Sequence, residues 1–347
     1  MLEFLFEYGL FLAKSVTLLA AILVVIIFIV GASQQQKEPE AGHIEVRNLN
    51  DSLAAITHSL KSVVLHPEAR KLDAREEKKK TKEKQKALKQ EAKSGEEQKP
   101  RLFVIDFKGD MQASGVTNLR EEITAILSVA GEHDEVLVRL ESPGGVVHGY
   151  GLAASQLQRI RNRGVNLTVA VDKVAASGGY MMACIANQLI AAPFAIIGSV
   201  GVVAQIPNFH RLLKKNEIDF EVLTAGEYKR TLTLFGENTD KAREKFVDDL
   251  EDVHVLFKEF VTEHRPSLNI EEVATGEAWF GRRALDRNLV DELKTSDEYL
   301  IEKCDETDVF QVRYVIHKHR FDRLMEKMTR LAMPISDRQS IPTEYIQ

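Results

Sequence analysis

Three short stretches carry residues whose types and spacing could do chemistry. The first is Asp172-Lys-Val-Ala-Ala-Ser-Gly-Gly-Tyr-Met-Met-Ala183. An apolar β-type run, Leu167 to Val171, feeds small residues, then Ser177 and two glycines, and a helix-like apolar run follows from Tyr180 to Ile190. A serine delivered by a strand to a helix N-terminus meets free backbone N–H groups and a dipole that favours negative charge. Gly178 and Gly179 let another group approach the backbone closely. An acyl-transfer enzyme places its nucleophile in such a turn, with an amide donor for the oxyanion beside it. Taken alone, the stretch fits equally well a tight turn whose serine only caps the helix.

The second stretch is Glu141-Ser-Pro-Gly-Gly145, between a strand-like run and a helix-like one. Pro143 rigidifies the loop, and Gly144 and Gly145 can turn main-chain N–H groups inward, as a second oxyanion donor requires. A plain turn is the competing reading. The third stretch is Thr224-Ala-Gly-Glu-Tyr-Lys-Arg230. A serine hydroxyl needs a base, and a lysine serves only if its pKa falls from about 10.4 toward neutrality, roughly three units or about 4 kcal/mol. Burial among apolar groups does this. Lys229 has Tyr228, Leu232, Leu234 and Phe235 for company, whereas Arg230 cannot lose its proton. The competing reading is an exposed loop lysine. His148, beside the Gly-Gly loop, is the rival base; read structurally, it is a surface histidine at a helix start. His210, His254 and His264 fall on helical surfaces. No cluster has metal-site spacing, no phosphate-cradling Gly-Lys-Ser/Thr motif is present, and no cofactor is expected.

The elements that must hold these stretches are those of an α/β fold. Strand-like runs at Leu102–Phe107, Glu135–Leu140, Leu167–Val171, Gln188–Ala192, Ala195–Gln205 and Phe220–Leu223 are interleaved with helical spacing at Val116–Val129, Val146–Ile160, Pro207–Lys215 and Lys241–His264. Continuous apolar strands alternating with helices imply a mainly parallel sheet. Leu285–Leu293 is a closing apolar segment and Phe310–Ile316 a further strand. The expected protease-sized domain covers residues 101–316.

Outside it the composition changes. Tyr8 to Val30 is overwhelmingly apolar apart from Lys14 and a few small polar residues, and residues 8–31 are expected to be an uncleaved bilayer anchor, with residues 1–33 as its domain. Residues 34–100 are expected to be a polar, charge-rich tether. In it, Asp51 to Leu65 shows scattered helical spacing, and Arg70 to Lys99 alternates basic residues with glutamate, which suits a solvated helix better than a nucleic-acid surface. Residues 317–347 form a C-terminal extension that begins basic and amphipathic. The 347 residues carry a net charge of −6, 44% hydrophobic and 28% charged residues. Two cysteines, Cys184 and Cys304, cannot make a disulfide framework or a zinc cluster, and Cys184 reads as a buried packing thiol.

Ala175-Ala-Ser-Gly-Gly-Tyr180, Ser142-Pro-Gly-Gly145, Ile197-Gly-Ser-Val-Gly-Val202, Glu227-Tyr-Lys229 and Gly281-Arg-Arg-Ala-Leu-Asp-Arg-Asn-Leu-Val-Asp291 together resemble the signal peptide peptidase A family of membrane-bound serine proteases. The layout resembles its short, SohB-type branch. The resemblance covers roughly Leu102 to Leu293. It implies stacked β-β-α units like those of the Clp protease and crotonases. It implies a Ser–Lys dyad, Ser177 as nucleophile and Lys229 as general base and then acid, with the N–H of Gly178 and one from Gly144 or Gly145 as oxyanion hole. It further implies homo-oligomers in which a neighbouring subunit can supply the lysine. Substrates would be released signal peptides or unfolded, membrane-proximal chains, met on the periplasmic side of a bacterial inner membrane. Ser199 and Gly201 would shape the substrate groove. Two positions depart from the pattern: Asn288 stands where glycine is usual, and Arg-Thr-Leu-Thr follows Lys229 in place of an acidic-small continuation. A crotonase-like acyl-thioester hydrolase or isomerase, or a non-catalytic membrane scaffold, are the alternatives. A crotonase needs no Ser–Lys pair and is normally soluble.

Overall fold

A computed structural model describes residues 6–19, 21–22, 42–73, 75, 79, 82 and 99–316. The chain divides into two units, Met1–His43 with Val315–Gln339, and Ile44–Tyr314 with Ser340–Gln347. In the first unit, residues 6–19 and 21–22 are helical. The remainder of the expected anchor, residue 20 and residues 23–31, lies outside the described residues, as does the C-terminal extension 317–347. Among the described residues no helix is long and apolar enough to cross a membrane. The expected transmembrane helix is therefore only partly within view.

The second unit is built on a seven-stranded sheet in the order β1-β10-β2-β3-β4-β6-β9. Its strands are β1 (His43–Asn48), β2 (Arg101–Lys108), β3 (Glu135–Glu141), β4 (Asn166–Val171), β6 (Gln188–Ala191), β9 (Glu292–Leu293) and β10 (Asp308–Val315). From β10 to β9 the pairings are parallel, with Val104 beside Leu137 and Val138 beside Val169. Both faces are covered, so β2 and β3 are apolar without alternation. On one face Phe103, Ile105, Val136 and Val138 meet α2 (Val116–Leu127), α3 (Val147–Asn162) and α4 (Gly178–Ala183) through Ile123, Leu157 and Met182. On the other, Leu102, Val104 and Leu137 lie under Tyr299 and Leu300 of α9 (Ser296–Glu306). Each such fully buried Leu or Ile contributes about 1.5–3 kcal/mol.

A second, three-stranded sheet runs β5-β7-β8, from β5 (Val174–Ala176), β7 (Ile196–Gly198) and β8 (Ala278–Phe280). It positions the serine. Asp172, in the turn between β4 and β5, accepts from the backbone N–H of Ser296 at 2.8 Å and from its hydroxyl at 2.5 Å, fixing where the chain leaves one sheet for the other.

Several expected elements differ. Phe220–Leu223 forms no strand, and Ala195–Gln205 shrinks to β7. The helix after Ser177 stops at Ala183, because Cys184 to Asn187 turn the chain into β6. The stretch expected as tether supplies the edge strand β1 and a helix, α1 (Leu49–Val64), capped by the Asn48 side chain at 3.1 Å. α1 buries no residue. The remaining helices are α5 (His210–Lys215), α6 (Asp240–His264), α7 (Ile270–Val273) and α8 (Gly281–Leu285).

Candidate active site

Ser177 directly follows β5 and precedes α4 with φ 51° and ψ −119°. These are the angles of the first central residue of a type II′ turn, a place normally taken by glycine. A serine there costs on the order of 1–3 kcal/mol unless its surroundings hold it. They do hold it: the Ser177 N–H donates to Gly198 O at 2.8 Å, and its carbonyl accepts from Met181 N at 3.0 Å. Its hydroxyl makes no capping bond to the helix. The reading in which Ser177 merely caps α4 thus loses its support. The side chain is only half-buried, so its Oγ can be reached.

The Glu141–Gly145 loop lies against this turn. Ser142 N donates to Val174 O at 2.8 Å, and Ala176 N donates to Ser142 O at 3.0 Å, so the loop's start pairs with β5. Gly144 has φ 91°, and a Cβ built on it would lie 2.8 Å from both Gly178 N and Ser177 Cβ. No side chain fits between loop and nucleophile. The Gly144 N–H donates to Ser142 Oγ at 3.1 Å. Among the described residues, neither the Gly145 N–H nor the Gly178 N–H donates a hydrogen bond. Of the glycines expected as oxyanion donors, Gly178 and Gly145 have amides to offer, while that of Gly144 is engaged.

Lys229 belongs to the irregular stretch between α5 and α6. It is exposed, and its N–H donates to Gly226 O at 3.2 Å. No hydrogen bond joins it to Ser177 within one chain. It borders an open hollow of about 740 Å³ with Ile206, Phe220, Leu223 and Leu234. The apolar company seen in the sequence is present, but it does not shield the amine from water in a single chain. His148 is exposed on the first turn of α3 and makes no hydrogen bond among the described residues. His264 is engaged by Phe260 O at 2.8 Å and Gln158 Oε1 at 2.7 Å. Ser199, the first residue after β7, also has positive φ (52°) and donates its N–H to Glu277 O at 2.7 Å. Gly201 is packed so closely that a Cβ there would sit 3.0 Å from Gly276 Cα. Cys184 is fully buried, and burial pushes its thiol up to about 12, as expected of a packing residue.

The closing segment is locked by an ion pair between the buried Arg265 and the more open Asp291. Arg265 reaches the Asp291 carboxylate at 2.6 and 2.8 Å, and Leu189 N donates to it at 2.7 Å. Burial alone would raise the Asp291 pKa, but the guanidinium and the amide hold it below the usual carboxylate value.

Models of peptidase family S49 match this chain in two parts, the family's N-terminal region over residues 3–157 and the peptidase region over residues 159–309. The chain belongs to peptidase family S49. It is 48% identical over 342 residues to a probable protease SohB of Haemophilus influenzae, covering 97% of each chain. It is 51% identical to a probable protease SohB of Buchnera aphidicola subsp. Schlechtendalia chinensis, covering 87% of this chain and all of the relative. Among solved structures it is similar to the 1510-N membrane-bound stomatin-specific protease, a mutant in complex with a substrate peptide, at 14% identity and TM-score 0.41 over 67% of this chain. This S49 chain is therefore a serine protease of the SohB-type branch, as its motifs imply.

Two further side chains lie at the site, Ser142 and Tyr150. Ser142 was visible only as part of a turn motif. Tyr150, between Gly149 and Gly151, has nothing in the amino-acid sequence to set it apart from a core aromatic.

Proposed function

We propose that this S49 protease is a membrane-anchored serine endopeptidase in which Ser177 attacks the peptide carbonyl and Lys229 of a neighbouring copy is its base. The observation that carries the reading is Ser177 itself, held at a glycine-type backbone angle with a free, reachable hydroxyl beside two uncommitted amides. As the serine oxygen attacks, its proton passes to the uncharged Lys229 amine. The carbonyl oxygen, now anionic, is received by the Gly178 and Gly145 N–H groups. The ammonium returns the proton to the leaving amine, and water, deprotonated by the same lysine, releases the acyl group. The twofold strand pattern supports stacked β-β-α units of the Clp/crotonase type: β4, β5 and α4 follow in order, one strand in each sheet.

Lys229 needs a dry setting to be uncharged near neutral pH. Its segment is exposed and apolar in the single chain, which supports a second copy as its cover. Residues 8–31 would hold the protease at an inner membrane, with the catalytic unit on the periplasmic side. Released signal peptides or unfolded, membrane-proximal polypeptides would be the substrates. Ser177→Ala and Lys229→Ala each abolish peptide cleavage under this reading. When the two are co-expressed, sites pairing an intact serine with an intact lysine reappear, about a quarter of the total by random assortment. Recovery of roughly that share of wild-type turnover supports sharing between copies. No recovery places both groups in one chain, and wild-type activity in Ser177→Ala removes the mechanism.

A further inference from the structure

We propose that Ser142 and Tyr150 are positioning residues for the oxyanion hole, joined by a hydrogen-bond chain from the Gly144 amide to the Asp110 carbonyl and packed directly against Gly178. The proposal rests on the reading of Ser177 and the two amides given above. Both side chains are fully buried, and neither touches the scissile bond in that reading.

The direction of the chain follows from counting protons. The Asp110 carbonyl has none to give, so the Tyr150 hydroxyl donates to it at 2.9 Å. Tyr150 has a single hydroxyl proton. At the 2.5 Å contact between Ser142 Oγ and Tyr150 Oη, Ser142 must therefore be the donor. Ser142 Oγ in turn accepts the Gly144 N–H at 3.1 Å. The order is Gly144 N–H to Ser142, Ser142 to Tyr150, and Tyr150 to Asp110. Each bond polarises the next in the same sense. The relay starts on the peptide one α-carbon before the Gly145 amide, so it fixes the loop that presents that donor.

The same tyrosine supports the other donor. A Cβ built on Gly178 would lie 2.4 Å from Tyr150 Cγ, so the ring lies directly against the Gly178 backbone. One side chain thus braces both amides, by its ring on one side and its hydroxyl on the other. The space is closed behind it: a Cβ on Gly109 would lie 2.3 Å from both the Ser142 and Tyr150 hydroxyls. Gly109 N donates to Glu141 O at 2.9 Å, which holds that wall in place. A shape so tightly filled leaves the two hydroxyls no alternative partners, and an oxyanion donor misplaced by a fraction of an ångström loses most of its value.

The test uses the full-length protein and a fluorogenic peptide, with Tyr150→Phe, Ser142→Ala and their double variant. These remove the same bond from its two ends, so kcat should fall about 10–100-fold in each single variant and no further in the double. KM should stay within about twofold, and the pH profile of kcat should not move, because the base is untouched. Binding of a peptide aldehyde, whose adduct with Ser177 carries the oxyanion, should weaken by the same factor as kcat. A kcat within about twofold of wild type in both single variants overturns the proposal, as does a loss that falls wholly in KM. If Ser177→Ala is inactive while these variants behave like wild type, only the positioning role fails. If Ser177→Ala retains wild-type cleavage, the underlying reading fails with it.

Discussion

At the scale of single residues, the serine is held in a conformation that its own chemistry does not favour. The cost of φ 51° at Ser177 is met by its bonds to Gly198 and Met181. Glycine would relieve that strain but surrender some chain entropy. Ser177→Gly should therefore unfold at a higher temperature than wild type, by about 1 kcal/mol in stability, while cleaving nothing. Ser177→Ala, which keeps the strain, should be as inactive and no more stable, and denaturant unfolding of the two side by side checks the difference. Asn288 shows the same logic outside the site. Its φ is 59°, a left-handed angle that asparagine tolerates better than most residues. Such positions were legible because small or turn-forming residues stand out against apolar runs. Tyr150 was not, since nothing in a one-dimensional pattern separates an aromatic that fills a core from one that also braces a loop.

At the scale of elements, although the strand expected at Phe220–Leu223 is absent, strand and helix alternation was legible from Leu102 to Ala191 because the long strands are apolar on both faces. The second sheet was not. Strands β5, β7 and β8 have three residues each, too few to display a period. The joint between α2 and β10 was equally hidden. There Glu122 of α2, buried to 6% exposure, accepts the backbone N–H of Tyr314 at 2.8 Å. Burial, with the nearby Asp106 charge, pushes its carboxyl up to about 7, against the opposing pull of the Tyr314 amide and Arg313. The folded protein then holds a proton that the unfolded chain has already released between about pH 4.5 and 7. Stability must fall as pH rises through that window. Glu122→Gln keeps an acceptor for Tyr314 and cannot ionise. Its unfolding free energy should lose the downward slope and exceed wild type at pH 8 by on the order of 1–3 kcal/mol. Chemical denaturation at pH 5, 6.5 and 8 measures this, and parallel profiles for the two proteins would show that Glu122 is not the group responsible.

At the scale of the whole molecule, the distribution of apolar surface argues for copies acting together. The seven-stranded sheet is covered on both faces, yet the stretch between β7 and α6 leaves Val203 80%, Leu212 56% and Leu223 91% exposed, with Phe220, Phe209 and Phe235 each more than 40% exposed. The three phenylalanines cluster, with ring centroids 5.6 and 6.0 Å apart across Phe235. An apolar surface of this kind, on a chain whose core is otherwise complete, marks an interaction site. It is also the segment that carries Lys229. One contact would then do two things, covering the aromatic cluster and drying the amine that must give up its charge. Activity and assembly should accordingly fail together. Leu223→Glu with Val203→Glu puts two charges into the proposed contact without altering Ser177, Lys229 or either oxyanion amide. The double variant should sediment as a smaller species, keep the unfolding transition of its sealed core, and lose at least about 100-fold in kcat, because the general base contributes on that order. Full cleavage by a dissociated form would mean that the lysine is dried by its own chain, and the apolar stretch would then need another occupant.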